Sequence, residues 1–336
     1  DPRVSEVLAI ITDDFHAGLL PAGVTPIRVR PCDWVTHLAR EVPRAAESCN
    51  ADIIFAPNAL APRDPRAVLY FQDLRHFRVA PGAIPSAPEI AWRAARSAWR
   101  RYAAQPALLA VAVSADISSE VIARVPLPLA TIPNGVDVKG HRWEGTDDRV
   151  YVMGGIGTRK NSVTAVYAWA EVLRRGAGGD TMLEIGGCEP AWRRDELRSL
   201  ASALGIANRV RVKGTMPRDE YLANSALSRV SVSCSTLEAF GLPVAEALLM
   251  GAPVLCSDIP AHIELVRRAS AGTLFPVHSP AALAEALVES LEGRLPNRAT
   301  PTPSDWSWSA RASGHLDTYA ALLGSGSHAA APLAAA

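Results

Sequence analysis

The chain has 336 residues, of which 49% are hydrophobic, which is enough for two domains of ordinary size with separate buried cores. Lysine and arginine together number 34, as do aspartate and glutamate, so the overall charge gives no reason to expect a nucleic-acid partner. No apolar run reaches about 18 residues, which predicts that no segment of this sequence spans a membrane.

The five cysteines are scattered along the chain, and none belongs to a Cys-x-x-Cys pair. Cys234 and Cys256 lie in apolar, strand-like runs. We therefore expect reduced, buried thiols and a cytoplasmic location.

Short apolar runs alternate with helix-like segments along the chain, a pattern typical of parallel α/β sheets. The predicted strands of the first half are 6–11, 26–30, 51–56, 67–71, 108–113 and 129–132. Those of the second half are 150–153, 181–185, 209–212, 230–234, 253–256 and 272–275. The turn residues Pro133, Asn134 and Gly135 separate the two halves.

Residues 88–102 predict an amphipathic helix with an alanine-rich apolar face and four arginines elsewhere. The face comprises Ile90, Ala91, Ala94, Ala95, Ala98, Trp99 and Tyr102, and the arginines are Arg93, Arg96, Arg100 and Arg101. One interpretation rests this helix on anionic lipid, as a peripheral contact with the inner face of the membrane. We favour the other, in which the face packs on the sheet and the arginines point to water, because alanine offers little insertion energy.

Two carboxylates bracket the most informative stretch of the sequence. Glu238 and Glu246 stand at either end of the turn Phe240-Gly241-Leu242-Pro243. Gly241 permits a close approach of the backbone to a ligand, and Pro243 suits the first position of a helix, where its missing N–H costs nothing. The N-terminal amides of that helix favour an anion. We expect a ligand with a diphosphate flanked by hydroxyl-rich groups, such as a nucleotide-sugar.

This stretch resembles the Glu-x7-Glu signature of retaining glycosyltransferases of the GT-B fold, with Ala239 where the family usually has glycine. Further segments that resemble family motifs follow in the family's order, at residues 132–137, 154–161, 183–188, 212–226 and 305–319. The likeness covers about 114–319 and is weaker before that. It implies an α/β fold of two Rossmann-like domains facing across a cleft. The first β-α unit of the N-terminal domain is lacking before Asp1, and we favour a longer protein that carries this unit over a shortened member of the family.

The resemblance also predicts the domain organisation. It implies an N-terminal acceptor domain at 1–133, a nucleotide-sugar domain at 134–304 and a helix at 305–323 that crosses back to the N-terminal domain. The small residues of 324–336 predict a disordered tail.

By the same resemblance, Glu238 contacts the donor sugar and Glu246 holds the nucleotide ribose. The backbone amides of Phe240, Gly241 and Leu242 contact the diphosphate. Other donor-binding residues are implied at Gly155, Gly187 and Gly214.

Arg159 and Lys160 are expected to neutralise the leaving diphosphate, and with Glu238 they form the predicted catalytic set. Arginine grips phosphate oxygens bidentately, and lysine acts as a point charge. The alternative for this pair is a solvated helix start. Two fixed cations make a metal unnecessary, and the sequence has no Asp-x-Asp motif or His/Cys cluster. We expect no metal and no cofactor.

The N-terminal domain is expected to supply sugar or acceptor contacts from the carboxyl ends of its strands. The candidates are Gln72, Asp73, His76 and Ser114. Relatives often carry His-Asp where this chain has Gln72-Asp73, and an amide hydrogen-bonds a hydroxyl without carrying charge. Ser114 fits an ordinary helix N-cap equally well.

These features predict a retaining hexosyltransferase that uses a GDP- or UDP-sugar. Its acceptor would be a hydroxyl of a glycan, a lipid-linked saccharide or a small natural product. One alternative is a catalytically weak partner or scaffold of the same fold, favoured by Gln72 and the lacking first unit. Another is a sugar-nucleotide epimerase or a phosphorylase on the same architecture. A phosphorylase would bind pyridoxal phosphate through a lysine, and Lys139, Lys160 and Lys213 do not lie in suitable settings.

Overall fold

The computed structural model describes residues 2–12, 20–57, 60–74, 77–79, 85–153, 158–187, 190–294 and 303–324. The chain forms two compact units. The first comprises Asp1–His76, Pro85–Ile132 and Ser313–Ala336, and the second comprises Phe77–Ile84 and Pro133–Ala312.

The first unit contains parallel strands in two sheets. Strands β1 (Val7–Ile11) and β2 (Val24–Arg28) pair with each other. The other sheet has the order β3-β4-β5-β6, with β3 at Ile54–Ala56, β4 at Ala67–Phe71, β5 at Leu109–Ala112 and β6 at Leu129–Thr131. Every residue of β4 and β5 is buried, so these two strands form the centre of the first core.

The helices of the first unit begin with α1 (Trp34–Thr36), which a π-helical turn at His37–Glu41 joins to α2 (Val42–Ser48). Helices α3 (Ala87–Ala104) and α4 (Ala115–Ile122) flank β5 in the sequence. Each of the two starts with a serine whose hydroxyl accepts a hydrogen bond from a first-turn amide, which is a standard N-cap.

Helix α3 confirms the helix predicted at 88–102, but the predicted packing of its faces is wrong. Ile90 and Tyr102 are 54% and 52% exposed, whereas Arg100 is only 4% exposed. The buried residues of α3 are confined to its C-terminal end. Alanine-rich turns form a helix by intrinsic propensity, so the apolar pattern alone does not reveal which turns another element covers.

The second unit contains a six-stranded parallel sheet in the order β12-β11-β10-β7-β8-β9. Its strands are β7 (Asp147–Val152), β8 (Met182–Ile185), β9 (Val210–Val212), β10 (Ser228–Ser233), β11 (Val254–Ser257) and β12 (Thr273–Phe275). The sheet and its flanking helices bury an apolar cluster that includes Val150, Val152, Trp169, Leu183 and Leu287.

The helices of the second unit follow the strands in alternation. They are α5 (Ser162–Arg174), α6 (Ala191–Ala203), α7 (Arg218–Leu227), α8 (Leu242–Leu249), α9 (Pro260–Ala269), α10 (Pro280–Leu291) and α11 (Pro303–Trp306). The last helix, α12 (Trp308–Gly324), begins in the second unit and ends in the first. Among the described helices, none has the length and apolar character needed to cross a bilayer.

Each of the twelve predicted strands overlaps one of the described strands, which confirms a parallel α/β architecture in both halves of the chain. The cysteine prediction is confirmed for Cys234 and Cys256, which are buried and free. It is wrong for Cys32, which is exposed, and for Cys49, which is half-buried. Cys188 lies outside the described residues, as does the predicted tail apart from Gly324.

The segment after β6 is fixed against the last helices of the second unit. The amide of Val136 donates a hydrogen bond to the carbonyl of Trp306 over 2.7 Å. Gly135 lies against the backbone of Trp308, so a Cβ built on Gly135 would stand 2.5 Å from the Trp308 Cα. The glycine in this turn is therefore required by a close backbone approach.

We expect Gly135→Ala to destabilise the second unit by about 1–3 kcal/mol, because the added methyl group must displace the backbone of Trp308. Urea unfolding would measure the loss. Gly314→Ala in α12 is the control, since the nearest atom to its new Cβ is 3.9 Å away. Equal stability of Gly135→Ala and the unchanged chain would contradict this account.

Candidate functional site

The strand order of the second sheet creates a crevice between β7 and β10. From β7 the sheet grows through β8 and β9 on one side, and through β10, β11 and β12 on the other. In open parallel sheets, ligands bind at the carboxyl ends of the strands where the order reverses in this way. The loops after β7 and β10 are therefore the expected walls of a binding site.

These two loops bring together the three residues predicted as the catalytic set. Glu238 follows β10, and its side chain is 10% exposed. Its Oε1 lies 2.6 Å from the Lys160 Nζ, and its Oε2 lies 2.7 Å from an Arg159 guanidinium nitrogen. Both cations belong to a 3₁₀ turn at Thr158–Lys160, after β7. The sequence-predicted cluster therefore exists, with the carboxylate between the two cations.

Backbone contacts hold the two loops at a fixed separation. The amide of Thr236 donates to the carbonyl of Arg159 over 2.7 Å, and an Arg159 guanidinium nitrogen donates to the carbonyl of Leu237 over 3.4 Å. The hydroxyl of Ser235 donates to the Glu238 Oε1 over 2.8 Å. The positions of the charged groups therefore depend on the loops and not on side-chain rotamers alone.

The electrostatics of the cluster keep the carboxylate ionised. Burial works to raise the pKa of Glu238, but the charges of Lys160 and Arg159 outweigh it and lower that pKa. Burial lowers the pKa of the Lys160 ammonium, and the charge of Glu238 opposes this shift. Two cations around one carboxylate leave one positive charge in a poorly solvated site, which favours an anionic ligand.

The turn after Glu238 leads into a helix as predicted, although α8 begins at Leu242, so Pro243 is its second residue and not its first. Gly241 precedes α8 with φ of +88°, a left-handed conformation that favours glycine. A Cβ at this position would also meet the His262 ring and Leu265 at 3.2 Å. Phe240 is buried and Leu242 is 37% exposed. The first amides of a helix have no carbonyl partner within it, so those of Leu242 and Val244 are candidate donors for an anion, whereas Pro243 has no N–H.

Glu246 lies inside α8 and is 3% exposed. Its sequence setting predicted that it needs a partner, and the structure supplies one that the sequence did not suggest. A guanidinium nitrogen of Arg218 lies 2.7 Å from the Glu246 Oε1 and 2.8 Å from the carbonyl of Asp137. Burial raises the pKa of the Glu246 carboxyl, and the hydrogen bond from Arg218 opposes this shift.

His262 is a buried residue of the site that sequence reasoning missed. Its Nδ1 lies 3.0 Å from the carbonyl oxygen of Ser257, and because a carbonyl only accepts, Nδ1 carries the proton. Within the described residues, its Nε2 is buried without a hydrogen-bond partner. Burial lowers the pKa of His262 to about 4. No sequence motif marked it, because its hydrogen-bond partner is a backbone carbonyl outside its own helix.

The predicted nucleotide glycines lie at the ends of the neighbouring strands β8 and β9. Gly187 follows β8 with φ of +71°, and Gly214 follows β9. Beside Gly187, a Cβ on Gly186 would stand 2.1 Å from the hydroxyl of Tyr151. That hydroxyl also lies 3.7 Å from the sulfur of Met216. Gly155, the remaining predicted glycine, lies outside the described residues.

The candidate contacts of the first unit lie at the carboxyl ends of β4 and β5. The Gln72 side chain donates to the carbonyl of Pro57 over 2.6 Å. Asp73 follows it and is partly exposed. The Ser114 hydroxyl accepts from the Ile117 amide over 3.3 Å, so Ser114 is the N-cap of α4, as the alternative interpretation held. His76 lies outside the described residues.

Within the described ranges, no three histidine, cysteine, aspartate or glutamate side chains come together as a candidate metal site. All three lysines of the chain have a carboxylate partner. Lys139 pairs with Asp219 at 2.8 Å and Lys213 pairs with Glu184 at 3.1 Å, in addition to the pair of Lys160 with Glu238.

Comparison with known families and proteins agrees with the motifs. Residues 136–311 match the family described as Glycosyl transferases group 1. A D-inositol 3-phosphate glycosyltransferase from Nocardia farcinica is 32% identical over 182 residues, which are 52% of this chain and 40% of that protein. An alpha-D-kanosaminyltransferase from Streptomyces kanamyceticus is 28% identical over 167 residues, which are 48% of this chain and 42% of that protein. The matches therefore span about two fifths of these relatives' length.

Solved structures resemble the chain over nearly its whole length. Anabaena HepE in complex with UDP has a TM-score of 0.67 at 16% identity, covering 94% of this chain and 92% of that one. Sucrose-phosphate synthase from Thermosynechococcus elongatus has a TM-score of 0.62 at 17% identity, covering 89% and 84%. These likenesses concern the fold, and they confirm the predicted GT-B class.

We expect His262 to stay neutral down to a pH near its pKa of about 4. In the unfolded chain the imidazole becomes protonated near pH 6.5, well above its pKa in the folded chain. The free energy of folding that neutral His262 contributes is therefore fully present above about pH 6.5. It is lost as the pH falls from about 6.5 to about 4. An NMR titration of the imidazole carbons, with His262→Gln for assignment, would measure the midpoint. A midpoint near 6.5 would contradict the burial of this ring.

Proposed function

This chain belongs to the glycosyl transferases group 1 family, and we propose that it transfers a hexose from a nucleoside-diphosphate sugar to an acceptor hydroxyl. The observation that carries the proposal is the cluster of Arg159, Lys160 and Glu238 at the point where the strand order reverses. A site with excess positive charge beside the amides of a helix start suits a diphosphate.

Glycosyl transfer breaks the bond between the anomeric carbon and a phosphate oxygen. Positive charge develops on the sugar and negative charge on the leaving diphosphate. Lys160 and Arg159 would contact the phosphate oxygens, together with the amides of the turn before α8. Groups that are already fixed in place stabilise developing charge without reorganisation. In many enzymes this electrostatic stabilisation is the largest single contribution to the rate enhancement.

Glu238 would orient the hydroxyl groups of the sugar. Its carboxylate is held by two cations and the Ser235 hydroxyl, and its pKa is lowered mainly by the charge of Lys160, against the effect of burial. Such a carboxylate is a poor nucleophile. We therefore favour a retaining route in which the acceptor enters on the face of the leaving group. The leaving phosphate oxygen takes the proton of the acceptor hydroxyl as the new glycosidic bond forms.

Glu246 would hold the nucleotide ribose, because a buried carboxylate accepts two hydrogen bonds from a sugar diol. GDP- and UDP-sugars are the donors we propose, and no metal or other cofactor is required by this scheme. UDP is the first nucleotide to test, since one structural neighbour was solved in complex with UDP-glucose. The acceptor would be a glycan, a lipid-linked saccharide or a small natural product, with the protein in the cytoplasm or at the membrane surface.

A catalytically weak partner protein of the same fold is the second candidate. The observation in its favour is that the Gln72 amide is turned to the carbonyl of Pro57. The phosphorylase alternative is disfavoured, because each lysine of the chain is engaged by a carboxylate.

We expect one of UDP, GDP, ADP and dTDP to raise the melting temperature by roughly 5 °C at a hundredfold excess over its Kd. Lys160→Ala should weaken this nucleotide about 10- to 100-fold, since a hydrogen bond to a charged group is lost. Arg174→Ala is the control, because that exposed arginine pairs with Glu171 on the surface of α5. Thermal shifts would be followed by product analysis with the corresponding sugar donors.

Absence of any nucleotide-induced shift in the folded chain would overturn the transferase proposal. Binding without transfer to any hydroxyl acceptor or to water would favour the partner protein.

A further inference from the structure

Helix α9 holds a fully buried histidine, His262, between the end of strand β11 and the turn that precedes α8. One edge of its ring lies against Gly241, since a Cβ built on that glycine would meet ring atoms at 3.2 and 3.5 Å. Its Nε2 has no hydrogen-bond partner among the described residues, so Nδ1 makes the polar contacts of the ring. The ring therefore supports the site without reaching its surface.

A series of hydrogen bonds joins His262 to Glu238. Nδ1 donates to the backbone carbonyl and to the hydroxyl oxygen of Ser257, over 3.0 and 3.2 Å. The Ser257 hydroxyl in turn donates to the backbone carbonyl of Ser235. The Ser235 hydroxyl donates to the Glu238 Oε1 over 2.8 Å. Each donor in the series meets an acceptor, so the direction of every hydrogen bond is fixed.

The series lies out of contact with solvent. His262, Ser257 and Ser235 are fully buried, and the side chain of Glu238 is 10% exposed. Breaking one of these hydrogen bonds would leave a buried polar group without a partner, and the cost of doing so keeps the groups in place. The series therefore fixes the loop after β10 relative to β11 and α9.

The Ser235 hydroxyl is the uncharged partner of Glu238. The other two partners that the described residues supply are Lys160 and Arg159, which would contact the phosphate oxygens of the proposed donor. Once they do so, the Ser235 hydroxyl is left to hold the carboxylate toward the sugar. Because a misplacement of about 1 Å can cost on the order of a hundredfold in rate, the position of Ser235 affects catalysis most when the donor is bound.

We propose that His262 and Ser257 are positioning residues for sugar transfer, which act through Ser235 to hold Glu238 against the donor sugar. This inference rests on the proposed function, because it concerns the step in which Glu238 orients the sugar. Neither residue contacts the donor. Loss of the series lowers the rate of transfer and leaves the affinity for the nucleoside diphosphate nearly unchanged.

Ser257→Ala tests the centre of the series. It removes the hydroxyl that joins His262 to the Ser235 carbonyl, while Nδ1 keeps its hydrogen bond to the backbone carbonyl at position 257. We expect kcat for transfer from the best sugar donor to fall about tenfold, with the Kd of the nucleoside diphosphate changed by less than about twofold. Ser290→Ala is the matched control, because that hydroxyl is also buried but has no hydrogen-bond partner among the described residues.

A pair of substitutions at His262 separates the hydrogen bond from the packing of the ring. Asparagine and leucine have similar volumes, and both lose the ring contact with Gly241. The asparagine amide is a donor that replaces Nδ1 against Ser257, and leucine has no donor. We expect His262→Asn to retain at least about fivefold more of kcat than His262→Leu, at similar nucleotide affinity. This pair also serves if Ser257→Ala does not fold.

The double variant identifies the route by which the series acts. If Ser257 acts through the Ser235 hydroxyl, the two substitutions are not additive. In the Ser235→Ala background, Ser257→Ala should then lower kcat by less than about twofold.

Unchanged kcat in folded Ser257→Ala would overturn the inference and leave the proposed function standing. Equal kcat in His262→Asn and His262→Leu, with lower melting temperatures in both, would overturn it in favour of a packing role. A parallel loss of kcat and nucleotide affinity in Ser257→Ala would overturn it as well, because the series would then serve the phosphates. Failure of the unchanged chain to bind any nucleoside diphosphate, or to transfer its sugar, would overturn both proposals.

Discussion

The site depends on one buried carboxylate held between two cations. Glu238 follows β10, and Arg159 and Lys160 follow β7, so the interaction joins the two loops at the point where the strand order reverses. Removing three charges from water is costly, and a buried ion pair compensates only when its geometry is good. The short distances, the Ser235 hydroxyl and the Thr236–Arg159 backbone bond provide that geometry. The contacts between the two loops therefore keep the three charged groups within ion-pair distance of one another.

This arrangement would make the site ready for the proposed diphosphate before the ligand is present. The cations are fixed by Glu238, and the excess positive charge remains unneutralised in poorly solvated surroundings. A phosphate oxygen would compete with Glu238 for the same N–H donors, which frees the carboxylate for sugar hydroxyls. The same logic applies to Glu246 and Arg218, where a fixed ion pair precedes the proposed ribose. Both glutamates thus have internal partners that a hydroxyl-rich ligand can share.

Much of this architecture could be predicted because its signals are local. Apolar runs located all twelve strands, and a parallel sheet brings the loops after β7 and β10 together although Lys160 and Glu238 are 78 positions apart. His262 and Arg218 could not be identified, because their partners lie on other elements and no pattern in α7 or α9 marks the contact. The packing of α3 was predicted wrongly, since an amphipathic pattern does not specify which turns are covered.

The central claim is that Lys160 and Arg159 recognise a diphosphate. The most direct test is the ratio of affinities for the nucleoside diphosphate and the monophosphate of the same base, measured by calorimetry in the unchanged chain and in Lys160→Ala. We expect a ratio of about 30 or more in the unchanged chain, which falls below about three in the variant, because a charge-assisted contact to the second phosphate is lost. The same ratio in both proteins would contradict it.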